Sequence, residues 1–371
     1  MTHRERHMAW LKGGKLDRLP DWEFRTWDQT VDRWHKEGLP AEYTNRHDVL
    51  TRYFHTDDEE YGPSPWVDVG LRPGFEWEVV SEKGDTQVVR DNDGALCERM
   101  RPELGASIPR YIRYAIETRK DWEKLRDERL RIDDPGRVPA DLDEVCRKSH
   151  TVDYPTVVWA GAVYGWLRNW MGVERISEAF MEEPDWIAEM MEHLTALRLA
   201  MFGKLAMREA RIDRVDWWED MCFKTGPLIS PAMFVKFMVP HYRRTTEFMR
   251  RECGCEYNML DCDGNINVLV KPWLDGGINV MFPIETAHTD VFRIWREFGR
   301  KAPLRGAYDK RALIAGTVAI DREFEKLMPL IKEGILAPHT DHLVPPDVSF
   351  DNYRYYRRRK CAIIGKDYRE G

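Results

Sequence analysis

The chain has 371 residues, and 57 Lys and Arg against 64 Asp and Glu give a net charge of −7 and a pI near 5.9. A hydrophobic share of 43% with 15 Trp excludes a disordered or collagen-like polymer and provides for a large core. The mild acidity lacks the basic footprint of a nucleic-acid partner, and no apolar run approaches the roughly 20 residues of a membrane helix.

Residues 1–7 are polar and do not read as a secretory leader. Seven cysteines, an odd number without a C-x-x-C pair, fit reduced thiols and a cytoplasmic protein. A short helix opens the chain. Then Asp17-Arg18-Leu19-Pro20-Asp21-Trp22-Glu23-Phe24 alternates apolar and polar residues as a strand entering a core does. Residues 77–100 read as an inserted β-meander with turns at Lys83-Gly84 and Asp93-Gly94. From about residue 110, helical stretches alternate with short apolar runs, and strands are predicted at 156–160, 212–218, 256–260, 278–282, 303–307 and 335–337. Between them Ser230-Pro231 caps a helix that Pro240 kinks or ends. No G-x-G-x-x-G or Walker loop is present. The predicted fold is therefore α/β, a (β/α)8 TIM barrel, with residues 1–371 as one domain carrying an N-terminal helical and β-meander elaboration.

A barrel places its reactive side chains at the C-terminal ends of its strands. That rule selects Glu219 and Asp220, Asp261 and Asp263, Glu285, Tyr308-Asp309 with Lys310 and Arg311, and His339-Thr340-Asp341-His342. Asp261 and Asp263 are two apart and share a face. Two carboxylates held together require a proton or a cation, which makes a metal site reasonable; one Asp capping the helix near Asn265 and the other pairing with a lysine is the commoner outcome for an Asp-x-Asp. His342 precedes the rigid Pro345-Pro346, with Asp341 as its orienting carboxylate, and an exposed polar loop is the competing reading. Glu219 follows Trp217-Trp218, a pair able to wall a flat or cationic substrate or to divide between core and helix layer. Arg357-Arg358-Arg359-Lys360 is expected on the solvated face of the last helix, and His193 in solvent.

At these residues the sequence resembles the uroporphyrinogen decarboxylase-like superfamily of (β/α)8 barrels, which includes cofactor-free decarboxylases and cobalamin-dependent methyltransferases. The resemblance lies in Arg4-Glu5-Arg6 with Asp17-Arg18-Leu19-Pro20, Lys224-Thr225-Gly226-Pro227-Leu228-Ile229-Ser230-Pro231, Asp261-Cys262-Asp263-Gly264-Asn265 and Phe282-Pro283-Ile284-Glu285. It continues in Asp309-Lys310-Arg311-Ala312-Leu313 and Asp341-His342-Leu343-Val344-Pro345-Pro346-Asp347. In the decarboxylase branch, arginines after the first strand hold the tetrapyrrole's acids. Here the matching stretch, Trp22-Glu23-Phe24-Arg25-Thr26-Trp27-Asp28, keeps one arginine and gains two acids. A mouth lined by Glu23, Glu219, Asp261, Asp263 and Glu285 would repel a polycarboxylate.

The thiol-methylating members of the methyltransferase branch hold zinc with a His-x-Cys pair and a later Cys. Those positions correspond here to Asp261 and Asp263, with the later ligand near Asp341 or His342. The resemblance implies a divalent metal, zinc foremost, on Asp261, Asp263, His342 and Glu219, with Glu219, Asp261 and His342 catalytic. Trp22, Arg25, Trp27, Trp217, Trp218, Glu285 and Tyr308 would line the substrate site. The implied activity is a corrinoid-dependent methyltransferase that moves a methyl group from a small O- or N-methylated compound to a corrinoid protein, as a homodimer. A tetrapyrrole decarboxylase and a non-catalytic binding barrel are the alternatives.

Overall fold

The alternation of apolar runs with helical stretches becomes, in the computed structural model, a parallel sheet wrapped by helices; the structure describes residues 1–57, 62–101 and 109–371. Four antiparallel strands come first: β1 (Glu78–Lys83), β2 (Thr86–Arg90), β3 (Leu96–Met100) and β4 (Arg110–Arg113), paired in that order. The main sheet then takes β5 (Val157–Gly161) and β6 (Arg214–Trp218). A small hairpin, β7 (Cys222–Phe223) with β8 (Gly226–Pro227), follows. The main sheet resumes with β9 (Asn258–Asp261), β10 (Val280–Ile284), β11 (Leu304–Tyr308) and β12 (Leu336–Thr340). Among the described residues its order is β12-β11-β10-β9-β6-β5, every pair parallel. β10, β11 and β12 are buried along their whole length, as strands covered on both faces must be, and so read as apolar runs.

The helices follow their local signals. Ser230 accepts the Met233 amide at 3.2 Å to start Pro231–Phe237, and Pro240 falls in the first turn of a new helix, Val239–Cys253. A proline there loses no helical hydrogen bond. Among the described residues no helix is long and apolar enough to cross a membrane.

The regular ladder ends at β5 and β12, and irregular backbone completes the round. Val344 donates to the Arg25 carbonyl at 3.0 Å, Trp27 donates to the Val344 carbonyl at 3.1 Å, and Asp57 donates to Asp21 at 2.8 Å. On the far edge the Val157 amide reaches the Ser64 hydroxyl at 3.1 Å. Six strands and these two segments follow the (β/α)8 plan. The stretch predicted as a strand at 17–24 is therefore irregular, with a bend at Asp17-Arg18, and is not laddered. Pro20 has no amide hydrogen, and side-chain ion pairs hold the segment instead.

Those ion pairs correct the expectation for the last helix, Phe350–Ile364. Arg358 and Arg359 face solvent, but Arg357 and Lys360 are fully buried. Arg357 forks onto both Asp21 oxygens at 2.8 and 2.7 Å and reaches Glu23 at 2.7 Å. Lys360 binds Glu23 at 2.7 Å and the Trp22 carbonyl, and Lys366 binds Asp21 at 2.6 Å. Burial alone would raise the Asp21 pKa, yet Arg357, Lys360 and Lys366 hold it well below the ordinary carboxylate range. Glu23 is thus matched by cations inside the fold and does not line the mouth.

Candidate metal and active site

β6, β9, β10, β11 and β12 deliver their acidic and basic residues to one end of the sheet, the C-terminal end. The Glu219 amide extends the ladder by one bond, to the Asp261 carbonyl at 2.9 Å. At Asp220 the chain turns with φ of 41°, a left-handed conformation that Asp tolerates better than most residues. The turn sends two adjacent acids in different directions.

Glu219 enters the N-terminus of the helix Tyr164–Met171. Its carboxylate accepts the amides of Val163, Tyr164 and Gly165 at 2.8, 2.8 and 2.9 Å. The helix dipole favours an anion there. Residue 165 has to be glycine, because a Cβ would lie 2.8 Å from the Glu219 carbonyl and 3.1 Å from the Trp218 ring. Burial is the largest influence on Glu219 and raises its pKa despite these amides. Expected as a catalytic acid and metal ligand, Glu219 is a fully buried anchor outside the carboxylate cluster. Glu219→Gln should weaken the fold by about 1–3 kcal/mol, because an amide NH2 would face an amide donor. Urea unfolding checks the loss, and unchanged metal binding would separate the anchor role from that of a ligand.

Asp220 joins Asp261 and Asp263, and one carboxylate oxygen of each lies within 4.8 Å of the others. His342 Nε2 is 3.3 Å from Asp263 Oδ2. Phe24 meets the His342 ring and the Phe282 ring edge-on, with centroids at 5.2 and 5.0 Å. Glu285 accepts the Gly264 amide at 2.9 Å. Gly264 has φ of 83°, and a Cβ there would meet the Cys222 and Phe223 carbonyls at 2.8 Å, so this glycine allows the β7–β8 hairpin to pack on the aspartate loop. Lys310 lies 3.6 Å from Glu285 and 3.7 Å from Asp341.

Burial, followed by Asp220, Asp263 and Asp216, pushes Asp261 well above the ordinary carboxylate range. Burial and the Asp263 charge move Asp220 to about 6, and burial moves Asp341 to about 6 against the pull of Lys310. Burial opposes protonation of His342, but the Asp263 hydrogen bond and charge outweigh it and raise its pKa. For a carboxyl whose folded pKa is raised, stability is fully present below the unfolded value and is lost as pH rises through the folded one. The metal-free protein therefore loses the Asp220 and Asp341 contributions between about pH 4 and pH 6. A divalent ion should raise the unfolding temperature more at pH 7 than at pH 5, which calorimetry at the two pH values checks.

The residues expected to line a substrate separate by strand parity. Trp218 shares its face with Asp216 and pairs in register with Asp261, and it is partly exposed. Trp217 points to the helix layer, where its Nε1 donates to Asn258 at 3.2 Å and its ring meets Tyr242. Tyr308 is likewise buried, with its hydroxyl on the Ile320 carbonyl at 3.0 Å. Trp22 is 4% exposed, packed on Trp10 and His7 under the Arg305 guanidinium. These three side chains build the core instead of a pocket wall. Trp27 is 43% exposed at the N-cap of Asp28–Lys36, and Arg25 is half-buried beside Val344. Two residues complete what sequence reasoning left out. Asp220 was shortlisted without a role. Trp159 is 48% exposed in mid-strand between buried Val158 and Ala160, in register with Asp216. A Trp whose two strand neighbours are small and apolar was the available signal. His193 is half-buried, with Nε2 2.9 Å from the Leu130 carbonyl, and is not solvated.

The barrel plan with carboxylates gathered at its C-terminal end defines an enzyme-like α/β barrel, and the comparisons place it. Residues 99–357 match the family model for uroporphyrinogen decarboxylase (URO-D), and the chain belongs to this family. A methyltransferase from Methanosarcina mazei shares the fold, with a TM-score of 0.59 at 13% sequence identity over 98% of this chain and 99% of that one. No curated protein matches the sequence.

Proposed function

We propose that the chain is a corrinoid-dependent methyltransferase that takes a methyl group from a small O- or N-methylated compound and passes it to a corrinoid carried by a partner protein. The observation that carries this reading is the set of Asp220, Asp261 and Asp263 with His342 beside it. Three carboxylates converge there, and burial and neighbouring acids raise the pKa of Asp220 and Asp261, a repulsion that a divalent cation relieves. The three carboxylate oxygens fit zinc or a harder divalent ion, with His342 beside them on Asp263. The bound ion would act as a Lewis acid on the heteroatom that leaves the methyl group.

The chain's own residues do the rest. His342, whose pKa the Asp263 hydrogen bond and charge raise against burial, is placed to return a proton to the departing oxygen or nitrogen. Trp218, in register with Asp261, and Phe24, against His342, offer aromatic surface for the donor's organic body, and the exposed Trp159, in register with Asp216, extends it along the sheet. Arg25, Trp27 and Glu285 stay in the reading as outer contacts. The part-exposed Asp263 and His342 suit transfer to a second protein, since the acceptor must reach the methyl carbon in line. A cytoplasmic homodimer completes the proposal.

The family name favours a tetrapyrrole decarboxylase as the second reading. Against it, Lys310 is already shared by Glu285 and Asp341, and Arg305 is buried between Trp22 and Phe282. Neither is available to a polycarboxylate. The test is incubation with zinc, a reduced corrinoid and a panel of O- and N-methylated donors, read by the corrinoid absorbance spectrum. Methylation of the corrinoid supports the proposal. Failure with every donor, together with carbon dioxide release from a porphyrinogen, would replace it with the decarboxylase. Failure of both assays favours the non-catalytic barrel.

A further inference from the structure

We propose that Arg168 is a positioning residue that fixes the Asp220 carboxylate toward Asp261 and Asp263, and that the antiparallel sheet β1–β4 holds Arg168 in place through Asp93. The inference rests on the cation-binding reading of the cluster given above.

Asp220 occupies a left-handed conformation that costs energy for a residue with a side chain, so the surrounding structure has to impose it. One helix supplies both restraints. The first turn of Tyr164–Met171 grips the Glu219 carboxylate, and one turn further on Arg168 donates to the Asp220 carbonyl at 2.5 Å. Its other terminal nitrogen lies 3.8 Å from Asp220 Oδ2, and its guanidinium covers the Trp218 ring at 5.2 Å. Residues 218, 219 and 220 are thus all contacted by this helix, and the carboxylate direction at 220 follows from where the carbonyl at 220 is held.

Arg168 is itself oriented from outside the barrel. It donates to Asn169 Oδ1 at 3.2 Å, and the Asn169 amide donates to Asp93 Oδ2 at 3.0 Å. Trp170 Nε1 reaches the other Asp93 oxygen at 3.3 Å. Asp93 sits in the β2–β3 turn, which Asp91 secures by accepting the amides of Asp93 and Ala95 at 3.1 and 2.8 Å. The sheet therefore gains a role that its distance from the acids conceals, as a strut reaching the cluster through one helix.

Charge and position make opposite demands on Arg168, and this gives the test its sign. If Arg168 acted only as a cation near the acids, removing it would tighten binding of a divalent ion. If it positions Asp220, removing it weakens binding, by about 10- to 100-fold as for other groups that orient ligands. Asp93→Ala leaves the Arg168 charge in place and disturbs only its orientation, so a several-fold weakening there isolates the positioning effect.

The experiment is titration of zinc alone against a chromophoric chelator, with wild type, Arg168→Met, Arg168→Lys and Asp93→Ala, and thermal unfolding of each variant as a folding control. Weaker binding in Arg168→Met and Asp93→Ala, with partial recovery in Arg168→Lys, supports the inference. Equal or tighter binding in folded variants overturns it while leaving the cation site standing. Absence of zinc binding by wild type overturns the cation-site reading and this inference together. If Arg168→Met does not fold, Asp93→Ala decides.

Discussion

On the proposed methyltransferase reading, Asp261→Ala is expected to abolish binding of the divalent ion and to lower methyl transfer by about 10³-fold, the effect of several kcal/mol of lost transition-state stabilisation. Asp261 has the central position in the cluster. It ends β9, is held in register by Trp218 on one side and Phe282 on the other, and faces both Asp220 and Asp263. Removing it leaves two carboxylates without the third donor. Inductively coupled plasma mass spectrometry measures the bound metal, and single-turnover transfer to a reduced corrinoid measures the chemistry. His342→Ala should differ in kind, retaining part of the metal while losing the proton donor. Its deficit should shrink with donors whose leaving group needs no proton. Full metal content and activity in Asp261→Ala would remove the site from this end of the barrel.

Arg357→Met is expected to destabilise the protein by about 3–5 kcal/mol, the range for breaking a buried pair by deleting one partner. The deletion leaves Asp21 and Glu23 in a water-free site with Lys360, and with Lys366 on Asp21 alone. The lowered pKa values of Asp21 and Asp57 add a pH signature. A carboxyl with a depressed folded pKa contributes stability that is present above its unfolded value and lost as pH falls toward the folded one. Wild type should therefore lose stability below about pH 4, and Arg357→Met should show a smaller acid-dependent loss. Urea midpoints across that range report both effects. An unchanged midpoint in the variant would mean that the cluster contributes nothing net.

The barrel was legible because parallel strands buried on both faces leave apolar runs. Residues 278–282 and 303–307 lie almost on β10 and β11. The strand ends were legible for the same reason, so Asp261, Asp263 and His342 could be shortlisted from position. What the pattern concealed was direction. Parity separates Trp217 from Trp218, but it fails at residue 220, where a left-handed turn leaves Glu219 on a helix N-terminus and Asp220 beside Asp261 and Asp263. The charge run at 357–360 was concealed by distance. Arg357 and Lys360 look like surface cations until their carboxylates arrive from positions 21 and 23. The resemblance supplied the family, which composition and spacing did not.

The pairing of Asp21 with Arg357 spans 336 positions of sequence. A growing chain that emerges N-terminus first exposes residues 17–27 long before the helix Phe350–Ile364 exists to neutralise their acids. Until then Asp21 and Glu23 remain hydrated, since burial without partners would cost several kcal/mol for each ion. The segment that begins the barrel is therefore the last to be locked into it, and completion of the round waits for the final helix to be synthesised.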